Sequence, residues 1–246
     1  MKHEPEELAI LLRRLNLTTI AQHYEQMGQD AAREGHSPVE YLRRLAEAED
    51  AARYERSVQR RTRAARLPFI KTLEQFDWSW PKCINRAQIQ DLFRLRFIEQ
   101  HTNVVLIGGV GLGKTHLALA LAYSACLHNV STLFAPAVEI VNALSAAQAA
   151  SHLSKALKTY AAPRLLVIDE LGYLPMDKRG ADLLFQVVSA RYERSATLIT
   201  TNMVYKQWPR IFNNDATLTT AILDRLVHHC ETVTIEGKSY RTKDEA

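Results

Sequence analysis

Residues 103–120 read NVVLIGGVGLGKTHLALA. Val104, Val105, Leu106 and Ile107 form an apolar run of strand length, which opens directly onto Gly108-Gly109-Val110-Gly111-Leu112-Gly113-Lys114-Thr115. Residues 117–125 then continue as an apolar helical run. The pattern G-x-x-x-x-G-K-[ST] between a strand and a helix predicts a phosphate-binding loop. Loop amides and the helix N-terminus would form a positively polarised cup for phosphate oxygens. Glycines allow the positive φ and close backbone approach that such a cup needs. Lys114 would pair with the β- and γ-phosphates and the Thr115 hydroxyl would ligate Mg²⁺, with Gly108 through His116 as the candidate nucleotide-binding segment. The rest of the chain is therefore read around ATP.

Downstream, residues 164–170 (RLLVIDE) predict an apolar strand ending in two carboxylates. In a phosphate-loop ATPase Asp169 would hold the Mg²⁺ shell, and Glu170 would orient and deprotonate the attacking water. At the carboxyl end of a buried strand these residues stand where open α/β sheets bind ligands. Residues 196–201 (ATLITT) predict another strand, ending at Asn202. Asn202 would reach the γ-phosphate or the water there; the plain alternative is a turn asparagine. A strand at 130–135, helices within 136–160, a loop at 171–175 and an amphipathic helix at 177–194 are expected. Helices at 204–212 and 216–229 and a last strand at 231–236 complete the pattern. Alternation of strands and helices predicts an α/β fold with a parallel sheet.

Upstream, residues 1–66 read as all-helical. Leu8, Leu11, Leu12 and Leu15 make a helical stripe, a second helix is expected over 19–33 up to Gly35, and Ser37-Pro38 with Glu40 caps a third. Charge is divided along it: residues 1–52 carry six Lys/Arg against ten Asp/Glu, whereas 53–66 carry six Arg against one Glu. Arg53, Arg56, Arg60 and Arg63 share a helix face, either a stripe for nucleic-acid phosphates or a solvated surface partly paired with Glu49 and Glu55. Residues 67–82 form an aromatic connector with Phe69, Phe76, Trp78 and Trp80, too apolar for a free linker and expected to pack on the next domain, with bordering the adenine as the alternative role. A short helix over 86–100 leads into the first strand. The expected division is 1–66 (helical), 67–82 (connector) and 83–246 (ATPase).

Hydrophobic content of 47% and charged content of 24% are those of a globular protein, and a net charge of +4 permits an anionic partner. Cys83, Cys126 and Cys230 are far apart and are expected to be reduced, buried thiols of a cytoplasmic protein. The adjacent His228 and His229 are expected to project in different directions, and no metal pattern stands out among the histidines. Neither a signal peptide nor a membrane span is expected.

The order of the phosphate loop, Asp169-Glu170, the Thr-Thr-Asn strand end and Asp224-Arg225-Leu226 before a terminal strand resembles the AAA+ ATPases. More narrowly, GLGKTHLALAL, VIDELGYLPMDKRGADLLFQVVSARYE, LITTN, ILDRL and IEGKSYR resemble the DnaC/IstB clade, and IstB-type transposition helpers in particular, over essentially the whole chain. The resemblance implies a five-stranded parallel sheet of order 5-1-4-3-2 after a small helical domain, without a C-terminal helical lid. Gly108 through Thr115 would be Walker A, Asp169 and Glu170 Walker B, and Asn202 sensor 1. Arg225 would be the arginine finger, acting in trans on a neighbouring subunit's γ-phosphate. What closes over the nucleotide stays open, Arg241 being one candidate. It further implies a homo-oligomer with ATP at subunit interfaces, assembled on double-stranded DNA and delivering a target to the transposase of the same element. Lys178 and Arg179 join the arginine stripe as candidate DNA contacts. A helicase loader of the DnaC kind is the alternative, and a nucleotide-gated scaffold without turnover is a third, against which Glu170 argues. A small-molecule kinase would need an acceptor site, and no such motif stands out.

Overall fold

The computed structural model describes residues 4–240, which form two compact units divided at Arg60 and Arg61. The dividing point falls inside a helix, six residues before the boundary expected from the sequence. The reason is local: the Arg61 guanidinium donates to the Cys126 carbonyl at 2.7 Å, and the Ala65 carbonyl accepts from Phe134 N at 2.8 Å.

The first unit contains α1 (Glu4–Arg14), α2 (Thr18–Glu34) and most of α3 (Pro38–Ala64). Gly35 ends α2 in the left-handed conformation (φ 69°), its N–H returning to the Ala31 carbonyl. Leu17 cannot cap the start of α2 with its side chain, and α3 supplies the substitute. Glu49, only 3% exposed, accepts from Thr19 N at 2.7 Å and Ile20 N at 3.1 Å. It also accepts from Arg53 Nε and Arg56 Nη2, each at 3.0 Å. Burial alone would raise the Glu49 pKa; the two amides and two guanidiniums outweigh it and hold the carboxyl below its ordinary value. The leucine stripe of α1 is not buried within this unit: Leu8, Leu11 and Leu15 are exposed.

The second unit is an α/β sandwich. After the connector come α4 (Arg86–Leu92), α5 (Arg96–Glu99), β1 (Asn103–Gly108), α6 (Lys114–Leu127) and β2 (Thr132–Pro136). Next are α7 (Ala137–Ala149), α8 (Leu153–Ala161), β3 (Leu165–Leu171), α9 (Lys178–Arg191) and β4 (Ala196–Thr201). A 3₁₀ turn (Tyr205–Arg210), α10 (Ala216–Val227) and β5 (Cys230–Ile235) follow. All strand pairs are parallel, in the order β2-β3-β4-β1-β5, the order that the resemblance implied.

Both sheet faces are covered, which is why the strands read as unbroken apolar runs rather than alternations. Val104 and Leu106 face one core with α6, Phe97 and Ile98, while Val105 and Ile107 face the other with α7, α9 and α10. Phe76 and Trp78 of the connector pack into the first core, as expected. The helix expected over 86–100 is split, because Leu95 adopts a left-handed conformation (φ 59°) between α4 and α5. Pro209 lacks an N–H, and the helix expected over 204–212 is a 3₁₀ turn instead. Arg191, at the end of α9, is 2% exposed and donates to the carbonyls of Tyr160, Pro163 and Ala196 and to Thr197 Oγ1. Burial pushes its pKa down to about 9, and the carbonyls satisfy the cation where no carboxylate does. Among the described residues no helix is long and apolar enough to cross a membrane.

Candidate functional site

The phosphate loop hangs between the end of β1 and the start of α6, and its glycines are dictated by space as well as by conformation. A Cβ on Gly108 would stand 2.5 Å from the Ile235 carbonyl oxygen of β5. Gly113 has φ 83°, and a Cβ there would stand 2.7 Å from the Phe76 ring. α6 starts at Lys114 without a side-chain cap, so its first-turn N–H groups, oriented along the helix dipole, are suited to an anion. The Lys114 ammonium donates to the Gly109 carbonyl at 2.7 Å, folded back over its own loop.

The adjoining floor is a polar chain across three elements. Thr115 Oγ1 donates to the Asp169 carboxylate at 3.0 Å. Thr200 Oγ1 donates to Asp169 Oδ1 at 2.5 Å and accepts from Glu170 N at 2.9 Å. β3 pairs with β4 through Ile168 opposite Ile199 and then Leu171 opposite Thr201, so Asp169 and Glu170 together oppose Thr200 alone. That is a β-bulge, and Glu170 carries it with φ 58°. Asp169 thereby stays 5% exposed beside Thr115, while the Glu170 side chain is turned out to solvent.

A cavity of about 710 Å³ opens over this floor, in the size range of small-molecule sites. Val110 through His116, Glu170, Thr200 and Asn202 line it on the sheet side. Its far wall is aromatic, made by Phe69, Phe76, Trp80 and Tyr240. Two tethers hold that wall: Tyr240 N donates to the Gly111 carbonyl at 2.8 Å, and Trp80 Nε1 donates to the Lys238 carbonyl at 2.9 Å. His116 meets the edge of Phe76, and its Nε2 lies 2.9 Å from the Thr72 carbonyl. Burial lowers the His116 pKa, with the Thr72 bond opposing. A nucleotide with Mg²⁺ fits these residues: uncapped amides for phosphates, paired hydroxyl and carboxylate oxygens for a hard cation, and aromatic rings for a base.

The structure therefore brings Val110 through His116, Glu170 and Asn202 onto one cavity, with Asp169 directly behind Thr115. Gly108, the buried last residue of β1, and the exposed Gly109 are not among the residues that line the cavity. Arg225 stands apart, on α10, with its guanidinium 4.8 Å from the Phe185 ring centroid and Nη1 donating to the Ala221 carbonyl at 2.9 Å. Arg53 and Arg56 are engaged by Glu49 in the first unit, and Arg60 and Arg63 are exposed. Arg179 donates to Gln148 Oε1 at 2.6 Å, and Lys178 is exposed. Arg241 lies outside the described residues.

Thr200 and Tyr240 were missed in the sequence. A threonine beside a strand end facing two carboxylates was the only available signal for Thr200; nothing in the sequence joins Tyr240 to Gly111. Two expectations need correction. Cys126 is buried, but Cys83 is exposed and Cys230 only partly covered, because both border strand ends at the rim of the sheet; all three are free thiols. His228 and His229 do not diverge. Their ring centroids are 4.3 Å apart, because α10 stops at Val227 and the chain turns there into β5.

Residues 10–246 match the family model described as IstB-like ATP binding protein. A Pseudomonas aeruginosa protein named for ATP binding and insertion sequence IS21 is 38% identical over 97% of this chain and 90% of its own length. A Bacillus thuringiensis counterpart named for IS232 is 37% identical over 99% of this chain and 97% of its own. Among solved structures, DnaI superposes with a TM-score of 0.58 at 20% identity, covering 71% of this chain and 93% of that one. The DnaC helicase loader gives 0.52 at 22%, covering 67% and 96%. These two likenesses establish the fold. The match over residues 10–246 and the relatives at 38% and 37% identity show that the chain belongs to the IstB-like ATP-binding family.

Proposed function

We propose that this protein binds and hydrolyses ATP with Mg²⁺, assembles on double-stranded DNA in its ATP state, and thereby helps the transposase of an insertion sequence to capture its target. The observation that carries the catalytic half is the chain Thr115–Asp169–Thr200–Glu170 beside the phosphate loop. Lys114 would leave the Gly109 carbonyl to pair with the β- and γ-phosphates. Thr115 and Asp169 would hold Mg²⁺, which neutralises charge building on the phosphate oxygens. Glu170, exposed at the cavity where the bulge places it, would orient a water and take its proton as the water oxygen attacks the γ-phosphorus and the bond to the ADP oxygen breaks. Asn202 steadies the water or the γ-phosphate from the end of β4.

Among the described residues lining the cavity none is an arginine. Lys114 would be joined at the γ-phosphate by Arg225 of a neighbouring chain, since Arg225 is remote from its own cavity and suited to act in trans. Hydrolysis then depends on assembly and limits the lifetime of the assembly. DNA contacts would be mainly to phosphates, with Arg60, Arg63 and Lys178 as exposed candidates, giving weak sequence preference and steep salt dependence.

The test is binding to labelled duplex and single-stranded DNA, with a non-hydrolysable ATP analogue and without nucleotide. Large, nucleotide-dependent assemblies on duplex are expected. A preference for single strands, or no DNA binding, would refute the DNA half of this reading and favour a helicase loader.

A further inference from the structure

Away from the cavity, one group of described residues brings three metal-binding side chains together: Glu193, His228 and His229. One nitrogen of each ring and one carboxylate oxygen lie within 4.8 Å of one another, and all three residues are exposed. Glu193 sits in the turn between α9 and β4, in a left-handed conformation (φ 57°). The two histidines occupy the passage from α10 to β5.

The backbone around the group is pinned. Asn103 donates from Nδ2 to the Leu226 carbonyl at 3.0 Å and from its backbone N to the His229 carbonyl at 2.8 Å. His101 Nδ1 lies 3.0 Å from the Glu193 carbonyl, and the Tyr192 hydroxyl lies 3.1 Å from His228 Nδ1. Two chain segments, far apart in sequence, are thus held with their ligating groups converging at the end of the sheet where β1, β4 and β5 begin. The cavity lies at the opposite ends of the strands.

We propose that Glu193, His228 and His229 bind a divalent transition-metal ion, with Zn²⁺ as the ion that best suits two imidazoles and one carboxylate. Ligand bonds of about 2.0–2.2 Å place the donors of one ion roughly 3–3.5 Å apart. The donors, now within 4.8 Å of one another, would have to draw together to that spacing around the ion. Nitrogen donors disfavour Mg²⁺, so this ion is distinct from the one suited to Thr115 and Asp169. Three protein ligands leave a fourth position for water. Bound metal would clip the turn after α9 to the end of α10, just beyond Arg225.

Tag-free protein, stripped with a chelator and kept without nucleotide, is titrated with Zn²⁺. One ion per chain is expected, with Tm rising by about 5 °C at roughly a hundredfold excess over Kd. Glu193→Gln and His229→Gln should each weaken binding about tenfold or more, as loss of a ligand does. Co²⁺ added to the unaltered chain reads the ligands without any variant, and should give a visible d–d band without a thiolate charge-transfer band. A thiolate band would move the ion to a cysteine and overturn the proposal. So would undiminished binding in both variants, or no Zn²⁺ binding by the unaltered chain at micromolar concentration.

Discussion

Replacing Thr200 by valine removes a single oxygen and keeps the branched shape that fits β4. That oxygen donates to Asp169 Oδ1 at 2.5 Å and accepts from Glu170 N at 2.9 Å, with Thr200 itself 1% exposed. An amide deprived of its acceptor costs about 1–3 kcal/mol when buried, and a bond to a charged group contributes about 1.5–3 kcal/mol. Glu170 is exposed on its other side, so the combined loss is about 2–4 kcal/mol, or a fall in Tm of roughly 4–8 °C for a chain of this length. The kinetic consequence is separate. A non-glycine residue in the left-handed region costs about 1–3 kcal/mol and persists only while its surroundings hold it. Without Thr200 the bulge relaxes and Glu170 swings away from the water it should orient. Losing about 2–2.7 kcal/mol of transition-state stabilisation corresponds to roughly 30–100-fold in kcat. Phosphate release at saturating ATP and duplex DNA measures this, beside fluorescent-nucleotide binding, which should stay within about threefold because Lys114 and the loop amides are untouched. Thr200→Ser keeps the oxygen and should keep the rate. A Thr200→Val protein with unchanged kcat and Tm would show that Thr200 does not hold the Walker B bulge.

Three further outcomes are expected. Arg225→Ala should leave nucleotide binding per chain intact and cut DNA-stimulated turnover by about 10³-fold. Mixing it with Glu170→Gln chains should restore part of the activity if the arginine works in trans, and recovery that fails to occur would count against that role. Gly113→Ala must place a Cβ 2.7 Å from the Phe76 ring at φ 83°, so nucleotide affinity should drop by about tenfold or more in equilibrium binding. For Glu49, whose folded pKa lies below its unfolded one, the stabilisation is present above the ordinary glutamate range and is lost as pH falls through the folded value. Hydrogen exchange at Thr19 and Ile20, corrected for intrinsic rates, should accelerate on acidification, and a Glu49→Gln protein should show that behaviour already at neutral pH.

The parts legible in the sequence share one property: each rests on local chemistry at fixed spacing. The phosphate loop, the strand ending in Asp169-Glu170 and the strand ending at Asn202 are short runs whose composition specifies both element and end. Boundaries were less legible where a single residue's backbone decides them. Leu95 in a left-handed conformation splits one expected helix, and Pro209 converts another to a 3₁₀ turn. The leucine stripe near α1 has the expected helical spacing, yet Leu8, Leu11 and Leu15 are exposed, because a period specifies a face and not what covers it.

By itself, then, the sequence determined the α/β class, the phosphate loop and the candidate catalytic carboxylates, since glycine freedom, apolar period and charge are properties of neighbouring residues. Only the tertiary structure decided which distant residues complete them. Thr200 reaches Asp169 and Glu170 because β3 and β4 are paired with a bulge, and Tyr240 reaches Gly111 because the segment after β5 returns across the loop. The convergence of His228 and His229 on Glu193 likewise needs the ends of two helices to meet at one edge of the sheet. Such contacts are set by register and by where helices stop, and those follow from packing over the whole unit rather than from any local run.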